Sequence, residues 1–99
     1  MTQRITEAML EARIKYLNKL TNSPADPYTF ADGRNRANVG NFHLSHAYGG
    51  VCVHRIANES GGVNTPIIYG HVTKRECYNA LNTYISGIEF AMQQQGVTS

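Results

Sequence analysis

Three histidines, a cysteine and a serine fall within one stretch of this 99-residue chain, Phe42 to Ile56, FHLSHAYGGVCVHRI. Two alternating runs, Phe42–His46 and Val51–Ile56, flank Ala47-Tyr48-Gly49-Gly50. The paired glycines supply the positive φ of a tight reversal, so the stretch reads as a β-hairpin. Because strand side chains alternate, a turn of two or four residues leaves Phe42, Leu44, His46, Val51, Val53 and Arg55 on one face. His43, Ser45, Cys52, His54 and Ile56 share the other. The first set is apolar enough to face a core, whereas the second carries imidazoles, a hydroxyl and a thiol that a plain solvent face does not require.

Three kinds of chemistry are open to that second set. Imidazole and thiolate are preferred zinc ligands, and His43, Cys52 and His54, with His71 on a following strand, can be drawn as a surface metal site. No CxxC or HxxxH pair nucleates it, so cross-strand polar packing without a metal or other cofactor is expected. Cys52 with His54 can likewise be drawn as nucleophile and base. Side chains at i and i+2 project in parallel, however, and nothing supplies an oxyanion hole or a cleft, so no catalytic residue is expected. The third use is contact: His43, Ser45, Cys52, His54, Tyr69 and His71, with Ile56 and Ile67, make a flat, weakly charged surface suited to a protein partner or to self-association. The alternative is that the loop after the first helix folds over and covers it.

The elements that position these residues follow from periodicity. Thr6 to about Leu20 reads as an amphipathic helix, with Leu10, Ile14 and Leu17 as its stripe, Thr6 as cap, and Ile5 with Leu10 as a hydrophobic staple. Residues 21–40 are rich in turn signals, Asp26-Pro27 and Asp32-Gly33 among them, and read as an ordered arm enclosing one short β-like run at Tyr28–Phe30. Tyr28 and Phe30 would pin the arm to the sheet edge, leaving Arg34 and Arg36 on an exposed tip. Pro66–Val72 reads as a third strand, with Ile67, Tyr69 and His71 turned outward if Ile68 and Val72 point in. Thr73-Lys74-Arg75-Glu76 is a capping box opening a helix over residues 74–93, whose stripe is Cys77, Leu81, Tyr84 and Ile88. Gly87 inside it suggests close approach of another element, and Gln93-Gln94-Gln95-Gly96 a frayed end. The sum is one α+β domain over residues 1–99, a two-layer sandwich in α-β-β-β-α order. Its antiparallel sheet of three or four strands carries two helices on one face.

Composition narrows the partners. A net charge of +2, a pI near 8.7 and 16% charged residues fall short of a dedicated nucleic-acid protein. The seven acidic residues are too scattered to imitate a row of phosphates. The start, MTQRITEAML, has no apolar signal region, and no run approaches the roughly eighteen apolar residues of a membrane span. A cytoplasmic chain with reduced thiols and no membrane contact is therefore expected, in which the Asn58-Glu59-Ser60 sequon has no role.

Two resemblances add to this reading. Helix, three strands, helix, with Lys74 and Arg75 in TKRECYNAL opening the last helix, resembles the double-stranded RNA-binding domain. That likeness implies nucleic-acid binding through Lys74, Arg75, Arg34 and Arg36, although AYGG lacks the family's histidine-bearing loop. The runs RANVGNFHLSHAYGG, NESGGV and GHVTKREC, with YLNKLT in the first helix, resemble small accessory proteins of tailed bacteriophages and prophages. That likeness covers most of the chain. It implies a non-enzymatic protein in the bacterial host cytosol that binds a host protein or ribonucleoprotein complex, of the kind that inhibits CRISPR–Cas and other defences.

Overall fold

Thr6 starts the first helix, α1 (Glu7–Leu20), by accepting a hydrogen bond from the Met9 N–H, while the Met9 sulfur accepts from the Thr6 N–H. Two of the donors that a helix start leaves open are thereby satisfied. The computed structural model to which these elements belong describes residues 4–97, with side chains over 4–95. Ile5 and Leu10 are both buried, forming the staple expected of them, and Leu10, Ile14 and Leu17 turn one helix face inward. Thr21 closes the helix by donating its hydroxyl to the Leu17 carbonyl at 2.8 Å.

Between the helices lie β1 (Tyr28–Ala31), β2 (Arg34–Ala37), β3 (Phe42–Ala47), β4 (Gly50–Ile56) and β5 (Val63–Asn64); α2 (Lys74–Val97) follows. Two antiparallel sheets result, β1-β2 and β3-β4-β5. The hairpin register pairs His43 with His54, Ser45 with Cys52 and Ala47 with Gly50, so the turn is Tyr48-Gly49 and the two faces fall as the alternation requires. Phe42, Val51 and Val53 join Leu10, Ile14, Leu17, Cys77, Leu81 and Ile85 in one core, with both helices on that side. Arg13 Nε donates to Asn82 Oδ1 at 2.8 Å and the Tyr16 hydroxyl to Glu89 at 2.6 Å, so the helices advance in the same sense.

Four expectations are corrected. The arm over 21–40 is a second hairpin: Asp32 and Gly33 both take positive φ, 53° and 77°, the geometry of a two-residue turn that matches strand twist. Tyr28 and Phe30 are both exposed on it instead of being packed on the sheet edge, with only the Tyr28 hydroxyl reaching the neighbourhood of Gly61. Residues 66–72 do not form the third strand. Pro66 lacks an N–H and Gly70 sits at φ 80°, so pairing with β4 is confined to β5 and to a single bridge, Val51 with Val72. The last helix does not fray at Gln93 but continues to Val97. Finally, a Cβ on Gly87 would meet nothing within 4 Å, so among the described residues no other element approaches it.

Candidate site on the outer sheet face

Asn41 sets the first residue of the site. Its Nδ2 donates to the Pro24 carbonyl at 2.8 Å, which fixes the amide and leaves Oδ1 to accept from His43 Nδ1 at 3.2 Å. His43 therefore carries its proton on Nδ1 and presents a bare Nε2. Across the ladder His54 meets it edge to face, with ring centroids 5.7 Å apart, and His71 meets His54 the same way at 6.1 Å. His71 is held there by its position before the Val51–Val72 bridge; its Nε2 lies 3.3 Å from Ser45 Oγ and its ring 6.0 Å from that of Tyr48.

Burial, and after it the neighbouring imidazole, lowers the pKa of both His43 and His54 below the usual histidine value. Those two rings are thus held neutral at pH 7. Among the described residues no group of three or more histidine, cysteine or acidic side chains is arranged to hold a metal ion. Ser45 with His71 has the outline of a nucleophile and a base. No described residue hydrogen-bonds the second ring nitrogen of His71, and the Ser45 N–H points into the β3-β4 ladder, so neither an orienting group nor an oxyanion hole accompanies the pair.

The proposed contact residues do not all reach the surface. His43, Ser45, His54 and His71 cluster as described, and Tyr69, two residues before His71, is 92% exposed. Cys52 is fully buried: residues 66–71 cross over it, and its thiol donates to the Ile68 carbonyl at 3.5 Å. Ile56 is buried as well, and Ile67 packs on the helical side against the core. Burial raises the Cys52 thiol pKa and carries that of Cys77 up to about 11, so both stay protonated and inert. The cover over Cys52 comes from the segment before α2, not from the loop after α1.

The basic residues divide. Lys74 and Arg75 are exposed at the start of α2, where Thr73 Oγ1 accepts from the Glu76 N–H at 3.1 Å, next to His71 and the Tyr48-Gly49 turn. Arg34 and Arg36 lie on the β1-β2 hairpin, whose base joins the Phe42 end of the sheet, the length of β3 away from Lys74 and Arg75. The four make no single patch.

Sequence reasoning missed Tyr48. It is 98% exposed and sits at φ 54°, in the left-handed region that asparagine or glycine ordinarily takes at the first position of such a turn. The signal is present in Ala47-Tyr48-Gly49-Gly50, since the favoured two-residue hairpin turns both place their first residue at positive φ. No helix among the described residues is long and apolar enough to cross a membrane. Comparison with family models, with curated proteins and with solved structures finds no match.

Proposed function

We propose that this chain works by binding a protein surface rather than by catalysis, through the outer sheet face and the turn at its end. Tyr48 carries the reading. A tyrosine at positive φ costs the fold roughly 1–2 kcal/mol, and a ring 98% exposed returns almost no packing energy. Strain of this kind is concentrated where a side chain is wanted by something outside the fold. Tyrosine is also among the residues that dominate interface energetics, and a second exposed one, Tyr69, precedes by two residues the His71 ring that Tyr48 meets. His43 and His54, held neutral by burial, with Ser45 between them and His71, give the low charge that an interface centre favours. The phage-accessory resemblance supplies the partner class, a host protein or ribonucleoprotein complex of the defence type such as CRISPR–Cas.

A second reading rests on the Val51–Val72 bridge, which brings Tyr48, His71, Lys74 and Arg75 to one end of the molecule. That end could receive nucleic acid, with the arginines of β2 too distant to join in. Affinity capture from bacterial lysate, with and without nuclease and at two salt concentrations, separates the two. Loss of a nuclease-resistant partner on changing Tyr48 and Tyr69 to alanine supports the protein reading. Capture that nuclease or salt removes, and that Lys74→Ala with Arg75→Ala abolishes, supports the other.

A further inference from the structure

The edge of β3 that faces away from β4 is paired over only part of its length, and what it offers does not depend on the outer-face reading. In an antiparallel pair, residues alternate between those bonded to the partner strand and those whose N–H and C=O point away from it. The Val51 N–H and C=O are both bonded to Val72, at 2.8 and 2.9 Å, on the side away from β3. Its register partner His46 therefore directs its own backbone groups to the open side, and so, counting by twos, do Leu44 and Phe42. At Phe42 this edge is closed. Asn18, buried in α1, accepts from the Phe42 N–H at 2.8 Å and donates to the Phe42 carbonyl at 2.9 Å, as a neighbouring strand would. At Leu44 and His46 no described residue takes that place.

A groove of about 580 Å³ runs along this edge between α1 and β3, with Ala12, Ile14 and Lys15 on one wall, Leu44 on the other and Pro27 near the closed end. Four unpaired backbone groups beside a partly apolar groove fit one kind of occupant, a chain in extended conformation. A second copy presenting its own β3 antiparallel, with both helix layers on one face, is opposed by spacing. Adjacent strands lie about 4.8 Å apart, whereas packed helices need about 8–10 Å. α1 lies along β3, from Glu7 at His46 to Asn18 at Phe42, so the two α1 helices would collide. A strand without a helix beneath it meets no such obstacle.

We propose that the edge of β3 takes up an extended peptide segment of a partner protein by strand addition. Its backbone pairs with Leu44 and His46, and an apolar side chain enters the groove toward Ala12 and Leu44. Asn18 and the 24–27 segment stop it at the Phe42 end.

The test selects from random twelve-residue peptides displayed on filamentous phage, using the full chain as bait, and measures the best synthetic peptide by fluorescence anisotropy. Proline at 46 removes the outward N–H and no bond to β4, so His46→Pro should weaken binding at least tenfold, and His46→Ala less than threefold. Hydrogen exchange on the unaltered protein is the second readout: the Leu44 and His46 amides should slow at least tenfold with peptide bound, whether or not the proline variant folds. Failure of any peptide to enrich overturns the proposal, as do unchanged exchange at both amides or equal binding by the two variants. A concentration-dependent dimer that His46→Pro dissolves would give the edge to a second copy and overturn it as well.

Discussion

Replacing Tyr48 with asparagine should stabilise the protein while weakening its contact with a partner. The residue sits at φ 54° in the two-residue turn between Ala47 and Gly50. Asparagine tolerates the left-handed region because its short amide bonds locally, and at this position it removes about half or more of the roughly 1–2 kcal/mol of strain. What is lost in exchange is slight, an edge contact with the His71 ring made by a side chain 98% exposed. The net gain is about 0.5–1 kcal/mol, and a domain of this size shifts its Tm by about 4–8 °C per kcal/mol, which gives roughly 2–8 °C. Thermal unfolding followed by far-UV circular dichroism reads it directly. The same variant should lose partner capture, since an interface tyrosine typically contributes more than about 1 kcal/mol. A Tm that falls, or does not move, would refute the strain argument, and with it the reason for assigning Tyr48 to a partner.

Three further outcomes follow from particular contacts. Asn18→Ala leaves both Phe42 backbone groups without their partner and should cost about 2–4 kcal/mol in urea unfolding; a loss under about 1 kcal/mol would mean that water replaces the amide freely. Gly87→Ala adds a methyl where nothing lies within 4 Å, inside a helix, and should raise stability by about 0.5–1 kcal/mol in the same assay; a decrease would reveal a contact at that face. His43 and His54 have folded pKa values below the ordinary 6.5, so the unfolded chain binds more protons between the two values. Their stabilising contribution is complete above pH 6.5 and is lost as pH falls from there through the folded values. Tm measured at pH 7.5 and pH 5 should therefore differ, and the difference should shrink in the His43→Gln, His54→Gln double variant.

Local chemistry determined much of this protein. Thr6 and Thr73 announce their helices because a hydroxyl at that place meets an orphan N–H whatever the rest of the chain does. The twin glycines and the alternation around them fix which residues of β3 and β4 share a face, since a period of two admits no third arrangement. The segment 28–37 is legible as turns around one short β-like run but not as a hairpin, because β2 is polar up to Ala37 and hairpin pairing, not an apolar pattern, defines it. Tertiary packing alone decided the surface. Whether Cys52 faces a partner or lies beneath residues 66–71 depends on where a segment fourteen or more residues later crosses the sheet, and Pro66 and Gly70, which divert it, say only that it does not pair. The same holds for the edge of β3: alternation tells which backbone groups point outward, but the closure of Phe42 by a side chain twenty-four residues earlier requires α1 to lie alongside it. Periodicity records the direction in which a residue faces. What it then meets depends on contacts distant in sequence, whose geometry no local pattern carries.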